Sequence, residues 1–345
     1  MPSRIDVRSP ALMLASCLIA AACTSTTPNI EPALDQSPIA EAPTPPPPPP
    51  PPTLSDGSLI QPCDVTLDDM ACIEGGSFVR GFDGAETCPQ PENSADRPPH
   101  HSAAEVELST FFMDLQEVTY RDYKACEAEK RCDPAGPLYR DFDRPTQPHM
   151  GANWYEAKAY CKAQGKHLPT EAEWEAAARG PDGELHPWGD APGTCELAVI
   201  MNAEGKRSCG VDKLHGQAHK GRTLEVRSRP AARYGIHDMA GNAEEWIADW
   251  FSADLDACGE ACLGIDPRGP CDGAEPCKDH ARKLVKGGSW YWPSECATGY
   301  NRRPHVPNNK PYHHFGFRCA ASFAEAQAIA SQRAQTEQPN PDITE

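Results

Sequence analysis

The sequence predicts an α+β domain, loop-rich, with short strands and a few helices. Three observations carry this. The chain holds 37 prolines and 26 glycines among 345 residues, and both types break regular elements and shape turns. Long apolar runs are few, so short elements joined by long loops are expected. Two segments nevertheless carry strong helix-start signals.

Taken in order, the first 22 residues read as a signal peptide. Arg4 and Arg8 precede a short apolar run over 11–22, too short to cross a hydrocarbon core of ~30 Å as a helix. Residues 23–60 read as a disordered, Pro-rich stalk. The unbroken prolines of 45–52 favour an extended rod of roughly 25 Å. Residues 61–322 show no linker or internal repeat and are long enough to bury one sizeable core.

Within that span, strands are expected over 76–80, 106–114 and 284–290, and a helix over 120–130. Asn153-Trp154-Tyr155-Glu156 caps a second helix that buries Trp154, Ala157 and Cys161, with Gly165 at its exit. Thr170-Glu171-Ala172-Glu173 forms a capping box for a third, with Trp174, Ala177 and Ala178 facing inward. Residues 323–345 read as a flexible tail: helix formers give way to Gln338-Pro339-Asn340-Pro341.

Charge and cysteines set the address. The net charge of −18 argues against nucleic acid and anionic surfaces as partners. Cys23 follows Ala20-Ala21-Ala22, a junction that resembles the lipobox of bacterial lipoproteins. Cys17 is the alternative lipid site, and cleavage without lipidation a third reading. Of 16 cysteines, an even number remains if Cys17 is discarded and Cys23 carries the lipid. The rest imply a disulfide framework in an oxidising compartment. Local pairs Cys126–Cys132 and Cys195–Cys209 are expected across short polar loops. The pairing of Cys63, Cys72, Cys88, Cys258, Cys262, Cys271, Cys277 and Cys296 stays open.

A series of motifs then recurs in a fixed order. Gly75-Gly76-Ser77-Phe78 and Glu117-Val118-Thr119 open it. Asn153-Trp154, Ala159-Tyr160-Cys161 and the block from Gly165 through Leu168-Pro169-Thr170-Glu171-Ala172-Glu173-Trp174 follow. Next come Pro187-Trp188-Gly189, Met239-Ala240-Gly241-Asn242 and Glu245-Trp246. Gly287-Gly288-Ser289-Trp290 and Gly316-Phe317-Arg318-Cys319 close it. In this order the chain resembles the formylglycine-generating enzyme (sulfatase-modifying factor) family over about residues 70–322. The resemblance implies an irregular α+β fold related to C-type lectins and a disulfide between Cys161 and Cys319. It also implies calcium held by the loop from Ala240 to Glu245, with Asn242 and Glu245 as side-chain ligands. The family's second calcium site has no match here: Ala198-Val199-Ile200 and His219-Lys220-Gly221-Arg222 occupy its region.

The closing segment departs from the family at the chemistry. Active members carry two cysteines, five residues apart, after the Gly-Gly-Ser, and these bind copper. Here the third residue after Ser289 is Trp292, and Cys296 stands alone, so copper is not expected. Cys296 is expected to pair with Cys63, Cys72 or Cys88, with a reactive thiol as the alternative. If catalysis remains, Cys296 and Ser289 are its candidates, although a Gly-Gly-Ser turn also has a plain structural role. Trp292, His313 and His314 are the candidate ligand-binding residues. His215 and His219 match an iron-binding spacing weakly, and a solvated loop is the simpler reading.

The function expected is a lipid-anchored protein of the bacterial cell envelope, at the outer membrane or cell surface. Its domain would bind a peptide or glycan without catalysis, and the membrane would be met through the N-terminal lipid. The alternatives are a divergent metal-dependent oxidase acting on a cysteine or thiol, and a purely structural envelope protein.

Overall fold

The computed structural model describes residues 50–85, 88, 102–211, 221–308 and 313–337. The signal peptide, Cys23, most of the stalk, His100, His101, His215, His219 and Tyr312 lie outside the described residues.

The end of the expected stalk already belongs to the domain. Thr53 bridges Leu59, Leu54 is buried, and Ser55 N–H donates to the Glu107 carboxylate. A polyproline rod leaves its backbone solvated, but this segment finds partners inside the fold.

Among the described residues nine strands in three small sheets and six α-helices follow. Strand β1 (Met70–Ile73) is followed by β2 (Gly76–Arg80), β3 (Ala104–Leu108) and β4 (Phe111–Asp114). The single strand expected over 106–114 is therefore two. At the break, Asp266 takes both the N–H and the hydroxyl of Ser109, at 2.7 and 2.6 Å. Strand β3 then pairs with β2, whereas β4 pairs with β1.

Helices α1 (Tyr120–Ala128), α2 (Trp154–Ala163) and α3 (Glu171–Arg179) start where their caps are written, at Thr119, Asn153 and Thr170. Both capping boxes close: Asn153 with Glu156, and Thr170 with Glu173. Helix α1 stops short of Lys130, which turns left-handed at φ 59°.

Strand β5 (Glu244–Trp250) is the centre of the largest sheet, with β6 (Lys283–Lys286), β7 (Arg303–His305) and β8 (Phe315–Gly316). The order is β7-β6-β5-β8. Only β8 runs parallel to its neighbour β5. The strand expected over 284–290 ends at Lys286 because Gly287 and Gly288 take φ of 89° and 67°, which favours glycine. Between β5 and β6, α4 (Leu255–Cys258) and α5 (Glu260–Leu263) form an insert.

Strand β9 (Ala320–Ser322) joins β4, and α6 (Phe323–Glu337) follows. The expected flexible tail thus begins as a docked helix. Ala326 and Ile329 are buried with Leu67, Met70, Phe112 and Ala321, and burial of this face holds it to the sheet.

Seven disulfides join all cysteines from Cys63 onward: Cys63–Cys72, Cys88–Cys296, Cys126–Cys132, Cys161–Cys319, Cys195–Cys209, Cys258–Cys262 and Cys271–Cys277. A buried ionic lattice adds to them. Glu171 meets Arg80 and Arg302 at 2.6 Å and Lys286 at 3.3 Å. Burial alone would raise its carboxyl, but Arg302, Arg80 and Lys286 together hold it well below the usual range. Helix α3 is thereby tied to β2, to β6 and to Arg302 just before β7.

Candidate functional site

Strand β6 delivers the Gly-Gly-Ser turn to the surface of the largest sheet, and the turn is tightly packed. A side chain on Gly288 would meet the Cys296 carbonyl at 2.9 Å. Ser289 is fully buried. Its hydroxyl takes Tyr291 N–H at 3.4 Å, and its carbonyl takes Trp292 N–H at 3.0 Å. Trp290 is also buried, and its indole N–H donates to the His313 carbonyl at 3.0 Å. Ser289 is thus a turn residue rather than an exposed nucleophile.

Cys296 ends a short turn, Ser294–Cys296, and is bonded to Cys88. Its thiol is consumed, and the residue is 1% exposed. Copper bound as in the family's active members requires two thiolates held together. Trp292 and a disulfide cannot provide them, so the residues present do not fit that ion.

Beside the turn lies an aromatic and cationic cluster. Tyr291 and Trp292 are half-buried. The Arg207 guanidinium lies 3.8 Å over the Tyr291 ring, and Arg303 lies 4.5 Å over Trp292. Arg303 is also paired with Glu244. His314 stacks on Tyr291 at 5.8 Å and stands 4.0 Å from the second Glu244 oxygen. Burial, then Arg303 and His313, hold His314 well below its ordinary pKa, so its ring is neutral at pH 7. His313 packs on Tyr139 and Trp290, at 4.7 and 5.5 Å. The buried Trp292 indole nitrogen and Glu244 Oε2 find no hydrogen-bond partner among the described residues. Such groups are costly unless something satisfies them.

Trp292 and His314 both pack against Tyr291, and His313 packs against Trp290. The residues missed from sequence are Arg207, Glu244 and Arg303. Arg302 and Arg303 are adjacent in sequence, with β7 starting at Arg303, and their side chains diverge. One enters the Glu171 lattice and the other reaches Trp292.

The loop expected to hold calcium is occupied by protein partners. Asn242 Oδ1 takes Leu224 N–H at 2.9 Å. The Glu245 carboxylate takes Arg318 through both oxygens at 2.7 Å, and the Trp174 indole at 2.7 Å. Burial, then Asp238 and Glu245, push the nearby Glu117 carboxyl well above its usual range. The two side chains expected as calcium ligands are thus already engaged, Glu245 by the Arg318 guanidinium and Asn242 Oδ1 by a backbone N–H. In the second region, Ala198, Val199 and Ile200 are buried core.

With this geometry in place, comparison with known proteins is informative. The profile of the "Sulfatase-modifying factor enzyme 1-like domain" matches residues 57–323. The chain belongs to this family. It is 36% identical over 198 residues to a formylglycine-generating enzyme of Thermomonospora curvata, covering 54% of this chain and 60% of that protein. It is 27% identical over 195 residues to the "Inactive C-alpha-formylglycine-generating enzyme 2" of Bos taurus, covering 54% of each. The chain thus spans little more than half the length of these relatives. Among solved structures, PvdO from Pseudomonas aeruginosa superposes with a TM-score of 0.52 at 21% identity, covering 74% of this chain and 94% of that one. That likeness concerns the fold of this sulfatase-modifying-factor domain.

Proposed function

We propose that this sulfatase-modifying-factor domain is a non-catalytic binding module that uses the cluster of Tyr291, Trp292, Arg303 and His314 for a peptide or glycan. The observation that carries it is the Cys88–Cys296 bond together with Trp292. The segment that would hold the oxidase thiols offers no free sulfur and a large ring instead. Aromatic faces and paired guanidinium groups suit a sugar ring or an extended chain. The unpartnered Trp292 donor and Glu244 acceptor are the atoms a polar ligand would satisfy. Kinship to a relative named as inactive supports a family in which the fold outlasts the reaction. Lipidation at Cys23 and presentation from the cell envelope on the Pro-rich segment complete the proposal.

A peptide and glycan array probed with the native protein and with Trp292→Ala tests it. A ligand retained by the first and lost by the second is expected, with both proteins folded by circular dichroism. Retention of no ligand, or equal retention by both, overturns the reading.

A further inference from the structure

A concavity elsewhere on the domain shares no residue with the Trp292 cluster. It is a cleft of about 560 Å³, within the range of roughly 300–1,000 Å³ usual for small-molecule sites. Its floor is apolar, with Leu108, Phe111 and Leu168 buried there. One wall is α2, on which Trp154, Lys158 and Lys162 recur at every fourth position and share a face. Another is the disulfide-closed insert after β5, which contributes Asp266, Arg268 and Glu275.

The insert is fixed to the domain on both sides of this cleft. Asp266 holds Ser109 at the β3–β4 break. Glu275 takes the Lys158 ammonium at 2.7 Å. The cleft is therefore preformed, which lowers the ordering cost of binding.

Charge decides what it would hold. The carboxylates that line it are already engaged. Glu173 and Glu325 face the His167 ring at 3.1 and 2.7 Å, Asp266 is on Ser109, and Glu275 is on Lys158. Lys162 and Arg268 differ. Both are exposed, and neither has an anionic partner among the described residues. Glu173 and Glu325 share the single His167 charge and Asp266 sits on a neutral serine, so Lys162 and Arg268 are the cleft's cations left without an ion pair among the described residues.

We infer that this cleft binds a small amphipathic organic anion, a carboxylate or sulfonate on an aliphatic or aromatic body. The apolar part rests on Leu108, Phe111 and Leu168, and the anionic group pairs with Lys162 and Arg268.

Fluorescence titration of the full chain with anilinonaphthalene sulfonate tests this, beside its uncharged parent N-phenylnaphthylamine. Saturable binding of the sulfonate is expected, weakened about tenfold or more in Lys162→Gln/Arg268→Gln and unchanged in Trp292→Ala. The double variant should not weaken binding of the uncharged dye. Both substituted residues are exposed, so folding is not at stake. No saturable binding, equal sulfonate affinity in native and double variant, or loss in Trp292→Ala instead would each overturn the assignment.

Discussion

Cys88 and Cys296 are bonded across 208 residues of chain, and the bond lies directly behind the turn that carries Trp292. One cross-link therefore does two things. It closes a long loop, and it removes the last thiol from the segment where the family's oxidase chemistry would reside.

The first consequence is for stability. In Cys88→Ala/Cys296→Ala the unfolded chain regains the freedom that this loop closure removes, at a cost of about 2–5 kcal/mol. Denaturant unfolding of native and variant, both otherwise oxidised, measures it. A difference below about 1 kcal/mol would mean that the bond is absent or carries no constraint.

His167 gives a prediction about pH. Burial opposes its charge, but Glu173 and Glu325 outweigh this and raise its pKa from 6.5 to about 10. Below 6.5 the ring is protonated both folded and unfolded, and the ion pairs contribute fully. Between 6.5 and 10 only the folded state keeps the proton, and the contribution shrinks. Above 10 it is gone. Because the side chain is 32% exposed, solvent screens it, and His167→Gln should cost about 1–2 kcal/mol at pH 6. Unfolding at pH 6, 8 and 10 should show the difference fading with rising pH. A difference that grows with pH would contradict the assignment.

The Asn242–Glu245 loop gives a prediction about metal. With Arg318 on Glu245, chelation by EDTA should leave the melting temperature unchanged, and added calcium should not raise it. Glu117 sharpens the test. Its folded pKa lies above its ordinary 4.5, so its ionisation costs stability as pH rises past that value. Glu117→Gln should therefore be more stable at pH 7, by about 1 kcal/mol. A calcium-dependent melting temperature, or a destabilised Glu117→Gln, would restore a cation to this loop.

The parts of the fold that were readable in the sequence are those with local causes. Thr170 and Glu173 cap each other within one turn, so α3 is written in nine consecutive residues. The split between β3 and β4 is not local: Ser109 is held by Asp266, 157 residues away. Strand β5 was missed because all but one of its residues are buried, so it lacks the alternation that marks a half-exposed strand. The docking of α6 was missed because Ala326 and Ile329 sit in an otherwise polar, alanine-rich run, and their partners are on distant strands. At the site, the position of Trp292 was legible from motif spacing. The stacking of Arg207 and Arg303 on the aromatic pair depends on long-range packing.

The proposed function requires that this domain not carry out the oxidase reaction. The direct measurement is mass spectrometry of a cysteine-containing, sulfatase-type peptide incubated with the protein, copper and oxygen. No conversion of the cysteine to the aldehyde is predicted, either for the native protein or for Cys88→Ser, in which Cys296 is released but remains a single thiol. Aldehyde formed by the native protein and abolished in Cys296→Ser would contradict the account.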